Sequence, residues 1–156
     1  MIRVATHFPK TADAENGKKT GDGTSVGLFI PLPRHLAQQF PASRGEDKSP
    51  PHVTFLYVGD VTPDQEADLV ATCVEALSGV GPLVGTLDGL NYFINQHDQK
   101  IPHVQIAFNL DMAAVRRKLR RMLMEAGFNV KDSFHTQYLP HSTLDYLDDP
   151  DQEYEG

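Results

Sequence analysis

The tetrapeptide Pro-His-x-Thr occurs twice, as Pro51-His52-Val53-Thr54 and again as Pro140-His141-Ser142-Thr143. Each copy opens an apolar run that carries a Tyr and an Asp, "PHVTFLYVGD" and "PHSTLDYLDD". A proline restricts the residue before it and favours extended chain, so each copy reads as the entry to a strand. Alternate residues of a strand share a face. His52 and Thr54 therefore point one way, with Val53 and Phe55 turned into apolar packing. His141, Thr143 and Asp145 share a face in the second copy. A fold for this chain has to present one imidazole and one hydroxyl from each of two strands.

The intervening sequence supports a duplicated arrangement. Residues 25–33 read as a strand, "RHLAQQF" as a short helical piece, 41–51 as a loop, and 52–58 as a strand. Thr62, Pro63 and Gln65 carry a capping-box spacing, and Ala67, Val70, Val74 and Leu77 fall on one helical face before Gly79. Residues 82–94 look like strand, break, strand, and 103–110 like an alternating strand. Asp111 caps a second helix with a stripe of Val115, Leu119, Met122 or Leu123, and Ala126, stopped at Gly127. Residues 139–147 form the last strand. The expectation is a single α+β domain over 1–156 in which two small antiparallel sheets lie around a central groove in pseudo-twofold symmetry, with helices outside. Its lobes span about 25–80 and 81–148, with strands open to exchange between them. Residues 10–24 read as a loop, and 148–156 as an acidic tail.

Composition narrows the class. At 156 residues and 40% hydrophobic the chain can build one ordinary core. A formal charge of −7 argues against a generic nucleic-acid coat. Cys73 is the sole cysteine, so no internal disulfide forms. The N-terminus lacks a secretory apolar segment and no run approaches the ~18 apolar residues of a membrane span. The expectation is a cytoplasmic protein that does not contact membrane.

Two imidazoles facing one space suit phosphodiester cleavage. The ordinary His pKa is about 6.5, so near neutrality one ring accepts a proton while the other donates one. Threonine hydroxyls can donate to the non-bridging oxygens as charge builds there. The histidines show no H-x-H, H-E-x-x-H or Cys/His spacing, so neither a metal nor another cofactor is expected.

The paired motifs resemble those of the two-histidine (2H) phosphoesterase superfamily, which includes 2′–5′ RNA ligase-like (LigT-like) proteins, cyclic-nucleotide phosphodiesterases and short phage-encoded members that destroy antiviral signalling nucleotides. The resemblance extends over roughly 25–147. It implies a two-lobed α+β fold with both motifs lining a groove, and metal-independent action on phosphodiesters that neighbour a 2′-OH. It carries His52, Thr54, His141 and Thr143 over as catalytic, with a nucleotide or oligonucleotide as substrate and RNA as a further partner. RNA end processing, or nucleotide binding without turnover, remain the alternatives.

Other residues stand as candidate substrate contacts: Phe29 and Tyr92 by stacking on a base, His103 and Gln105 as a cleft wall, and His135 and Tyr138 near the groove mouth. Phe93 offers the same stacking, with core packing the competing reading. Tyr57 and Tyr146 fall opposite their histidines if the strands are regular, which assigns them to the core. Arg116, Arg117, Lys118, Arg120 and Arg121 read as a solvated helix face.

Overall fold

The computed structural model describes residues 3–5, 24–39, 51–131 and 138–154. The candidate contact His135 lies outside them. The elements run β1 (Arg3–Ala5), β2 (Thr24–Pro31), α1 (Arg34–Ala37), β3 (His52–Val61), a 3₁₀ turn (Pro63–Gln65), α2 (Glu66–Leu77), β4 (Gly85–Ile94), β5 (Lys100–Phe108), α3 (Met112–Glu125), β6 (Asn129–Lys131) and β7 (His141–Thr143). They make an α+β fold of two antiparallel sheets, ordered β1-β2-β3-β6 and β4-β5-β7. β6 comes from the second half of the chain but joins the first sheet beside β3. Neither β1 nor β6 was legible in the sequence, since three residues are too short to display a period.

The helices begin and end where local chemistry dictates. Gln65 Oε1 accepts from the Thr62 backbone N–H at 3.1 Å, one arm of the expected capping box. The Asp111 carboxylate accepts from Ala114 N–H at 3.0 Å and starts α3. Gly127 takes a left-handed φ of 89°, and Phe128 N–H returns to the Leu123 carbonyl at 3.0 Å to close α3.

α2 and α3 pack on each other and against the first sheet. Val26, Leu28, Ile30, Val53, Phe55, Leu56 and Val58 meet Leu69, Cys73, Ala76, Leu119 and Leu123 in one continuous core. The buried face of α2 differs from the expected stripe. Leu69, Cys73 and Ala76 point inward, while Val70 and Val74 are exposed. Both stripes have helical spacing and lie one residue apart, so periodicity alone does not choose between them; the leucine won the core position. α3 follows its stripe more closely, with Leu119 and Leu123 buried and Val115 and Met122 packed against the core.

Burial pushes the Cys73 thiol up to about 11, because a thiolate loses its hydration there. Iodoacetamide is expected to leave Cys73 unmodified in the folded protein and to label it once denaturant unfolds the chain, as mass spectrometry reads directly.

Two irregularities decide what the strands present. In β3 the register slips between the Leu28–Leu56 and Phe29–Thr54 pairs, leaving Phe55 as an inserted, bulged residue. In β4 a second slip lies between Leu87 and Leu90, where Gly89 adopts φ 98°; the break expected within 82–94 is thus a bulge in one continuous strand. Among the described residues no helix is long and apolar enough to cross a membrane.

Candidate active site

In β3, His52 and Thr54 lie on the face of the sheet away from the helices, paired across to Pro31 and Phe29 of β2. The Phe29 ring rests on His52 with centroids 4.2 Å apart and meets Tyr57 edge-on at 6.2 Å. Tyr57 therefore shares the face of its histidine, which corrects the core assignment. The bulge at Phe55 is the reason. One extra residue reverses the alternation, so Phe55 and Leu56 are both buried and Tyr57 returns to the His52 side. Tyr146 is exposed, so it too is not a core residue.

In the second sheet Gln105 pairs with His141, and His103 pairs with both Thr143 and Asn91. Directly opposed residues share a face. His141, Thr143, His103, Gln105, Asn91 and Phe93 thus form one surface. The His103 and His141 rings are 4.9 Å apart, and Phe93 lies 4.9 Å from His103 and 5.6 Å from His141. Tyr92 departs from the sequence reading. It is on the opposite face of β4, with the Lys100 ammonium 4.6 Å above its ring. Phe93 occupies the place expected of Tyr92. Adjacent aromatics on one strand necessarily point opposite ways, and the bulge at Gly89 hides from the sequence which of them faces His103.

His141 has a defined tautomer. Its Nδ1 lies 2.8 Å from the Leu139 carbonyl, and a carbonyl only accepts, so Nδ1 carries the hydrogen. Nε2 is left as the nitrogen that takes up or gives up a proton. His103 is buried and is held the same way, Nδ1 donating to the Ile101 carbonyl at 3.1 Å.

The two motifs are tied together. β7 runs close to β3. Tyr138, three residues before His141, donates its hydroxyl to the Thr54 carbonyl at 2.8 Å and packs edge-on against Phe55 at 5.8 Å. Burial holds the Tyr138 phenol well above its ordinary range, with the nearby Arg116 charge pulling the other way. It therefore remains a hydroxyl donor throughout the working pH range. Arg116 donates through Nε to the Phe55 carbonyl at 2.9 Å, and its guanidinium lies 5.3 Å from the Tyr138 ring centre. The solvated-face reading of the α3 cations holds for Arg117, Lys118 and Arg121, which are exposed, and fails for Arg116. Among the described residues no three His, Cys, Asp or Glu side chains gather as metal ligands.

Comparison with known proteins agrees with this architecture. A crystal structure of E. coli LigT complexed with 3′-AMP superposes with a TM-score of 0.53 at 20% sequence identity, over 82% of this chain and 75% of that one. No curated protein matches the chain. The family model of the 2′-5′ RNA ligase superfamily matches residues 33–155, which include both His-x-Thr motifs. With this match over most of its length, and with the LigT fold, the chain belongs to the 2′-5′ RNA ligase superfamily of 2H phosphoesterases.

Proposed function

We propose that the chain is a metal-independent phosphodiesterase that cleaves small or cyclic (oligo)nucleotides beside a 2′-hydroxyl, with His52 and His141 as its acid/base pair. Membership of the superfamily supports an enzyme acting on phosphodiesters, of the phosphodiesterase or RNA ligase type. The observation that carries the finer reading is His141. In an imidazole anchored through Nδ1–H, Nε2 is the nitrogen that accepts a proton or, once charged, donates one. One imidazole takes the proton of the ribose 2′-OH as that oxygen attacks phosphorus. The bond from phosphorus to the 5′-oxygen breaks, and the other imidazole, entering as imidazolium, protonates the departing oxygen. The products are a 2′,3′-cyclic phosphate and a free 5′-hydroxyl. A second turn with water opens the ring. Thr54 and Thr143 donate to the non-bridging oxygens, and Phe29 and Phe93 flank the histidines as surfaces for a base.

A second reading, action on terminal 2′,3′-cyclic phosphates or 2′–5′ joints of RNA, uses the same groups. It is favoured by the 3′-AMP of the LigT complex, a nucleotide with its phosphate beside a ribose hydroxyl.

The test is a panel of 2′,3′-cyclic mononucleotides, cyclic dinucleotides and 2′–5′ oligonucleotides incubated in excess EDTA, with products identified by mass. Turnover of at least one class at an undiminished rate in EDTA is expected. Activity lost in EDTA and restored by a divalent ion contradicts the proposal. A nucleotide recovered unchanged after long incubation with bound protein favours a binding module instead.

A further inference from the structure

The β3 register slips at Phe55, and two backbone carbonyls stand at that slip, those of Thr54 and Phe55. Each is met by a side chain from another part of the chain. Tyr138 reaches Thr54 at 2.8 Å from the lead-in to β7, and Arg116 reaches Phe55 at 2.9 Å from α3. These two side chains also touch each other, guanidinium to ring, at 5.3 Å. The part-buried Tyr138 hydroxyl takes as its acceptor the backbone of a motif residue, which links the lead-in of one His-x-Thr copy to the other copy.

We infer that Tyr138 is a positioning residue that fixes the backbone of Thr54, and so the aim of the Thr54 hydroxyl, with Arg116 bracing both the bulge and the Tyr138 ring. The inference rests on the reading of the two His-x-Thr pairs as the active site. Tyr138 was expected to contact a ligand; its hydroxyl instead contacts the protein's own chain. A hydroxyl held by a pinned carbonyl is pre-organised for charge that develops only in the transition state. The clamp therefore acts on kcat and hardly on KM.

The experiment is a kinetic double-mutant cycle with thermal melts of every protein. Tyr138→Phe removes one oxygen and keeps the ring on Phe55. It is expected to lower kcat by about 10- to 100-fold, the scale of a small misplacement at a reacting centre, with KM changed by no more than about two-fold. In a Thr54→Ala background the same substitution is expected to cost about two-fold or less, because the group it aims is gone. In a Thr143→Ala background the full cost is expected to persist. Arg116→Lys, which keeps the charge but not the Nε geometry, serves as the second variant should Tyr138→Phe fail to fold, with the same dependence on background expected. Equal losses in the wild-type and Thr54→Ala backgrounds, or a loss confined to KM or to the melting temperature, overturn the positioning role. Full activity of Thr54→Ala itself removes the underlying site reading, a different result from either.

Discussion

His52→Ala and His141→Ala are each expected to reduce kcat by about 10²- to 10⁴-fold, the contribution of one positioned acid or base. Both side chains lie on the sheet face turned from the helices, outside the hydrophobic core. Their removal should therefore leave the thermal transition nearly in place. His141→Ala also loses the bond to Leu139, worth about 0.5–1.5 kcal/mol net. Thr54→Ala and Thr143→Ala should lose less than either histidine variant, about 10²-fold or below, since each removes one hydrogen-bond donor and leaves proton transfer intact. Steady-state kinetics on purified, folded protein check the ranking. Wild-type rates in either histidine variant would place the chemistry elsewhere.

The second large effect concerns the nucleophile. A 2′-OH tethered beside phosphorus gains several kcal/mol over external water through proximity alone, about 7 kcal/mol or more where alignment is good. Replacing the ribose at the cleaved position of a 3′–5′ linkage by 2′-deoxyribose deletes that nucleophile without altering the base or the phosphate. Cleavage is expected to fall below detection, while the deoxy compound still competes with the ribo substrate for binding. The ribo reaction should also show a 2′,3′-cyclic phosphate product at early times. Equal rates for the matched pair mean that water attacks phosphorus directly, and the internal displacement is then wrong.

The duplicated Pro-His-x-Thr was sufficient to place His52, Thr54, His141 and Thr143 at two strand entries, and β3 and β7 do begin at the histidines. Its power comes from locality. A proline and a period of two act over a few residues, so a sequence reports them faithfully. The helix caps at Thr62 and Asp111 were legible for the same reason. What escaped was set by long-range pairing. Tyr57 changed face because Phe55 is inserted opposite a β2 that the local sequence of β3 does not mention. Tyr92 and Phe93 exchanged roles because the bulge at Gly89 sets the register of β4 on β5. Arg116 looked like its cationic neighbours on α3, and only the tertiary fold brings it to the Phe55 carbonyl, 61 residues away in sequence. Tyr138 was marked as lying near the groove, but nothing local indicates that its hydroxyl is spent on Thr54. Strand bulges and side-chain clamps are properties of pairs of segments, and a single sequence displays segments one at a time.

The most direct test of the two-histidine account is the pH dependence of kcat/KM for the wild type and for both histidine variants. One ring must be neutral and the other charged in the same molecule, so the wild-type profile is expected to be bell-shaped. The acidic limb reports the base losing activity as it becomes protonated, and the alkaline limb reports the acid losing its proton. Replacing one histidine by alanine should abolish one limb, and replacing the other should abolish the opposite limb. That pattern would also assign acid and base between His52 and His141. A residual activity that keeps both limbs in both variants would contradict the claim that these two imidazoles perform the proton transfers.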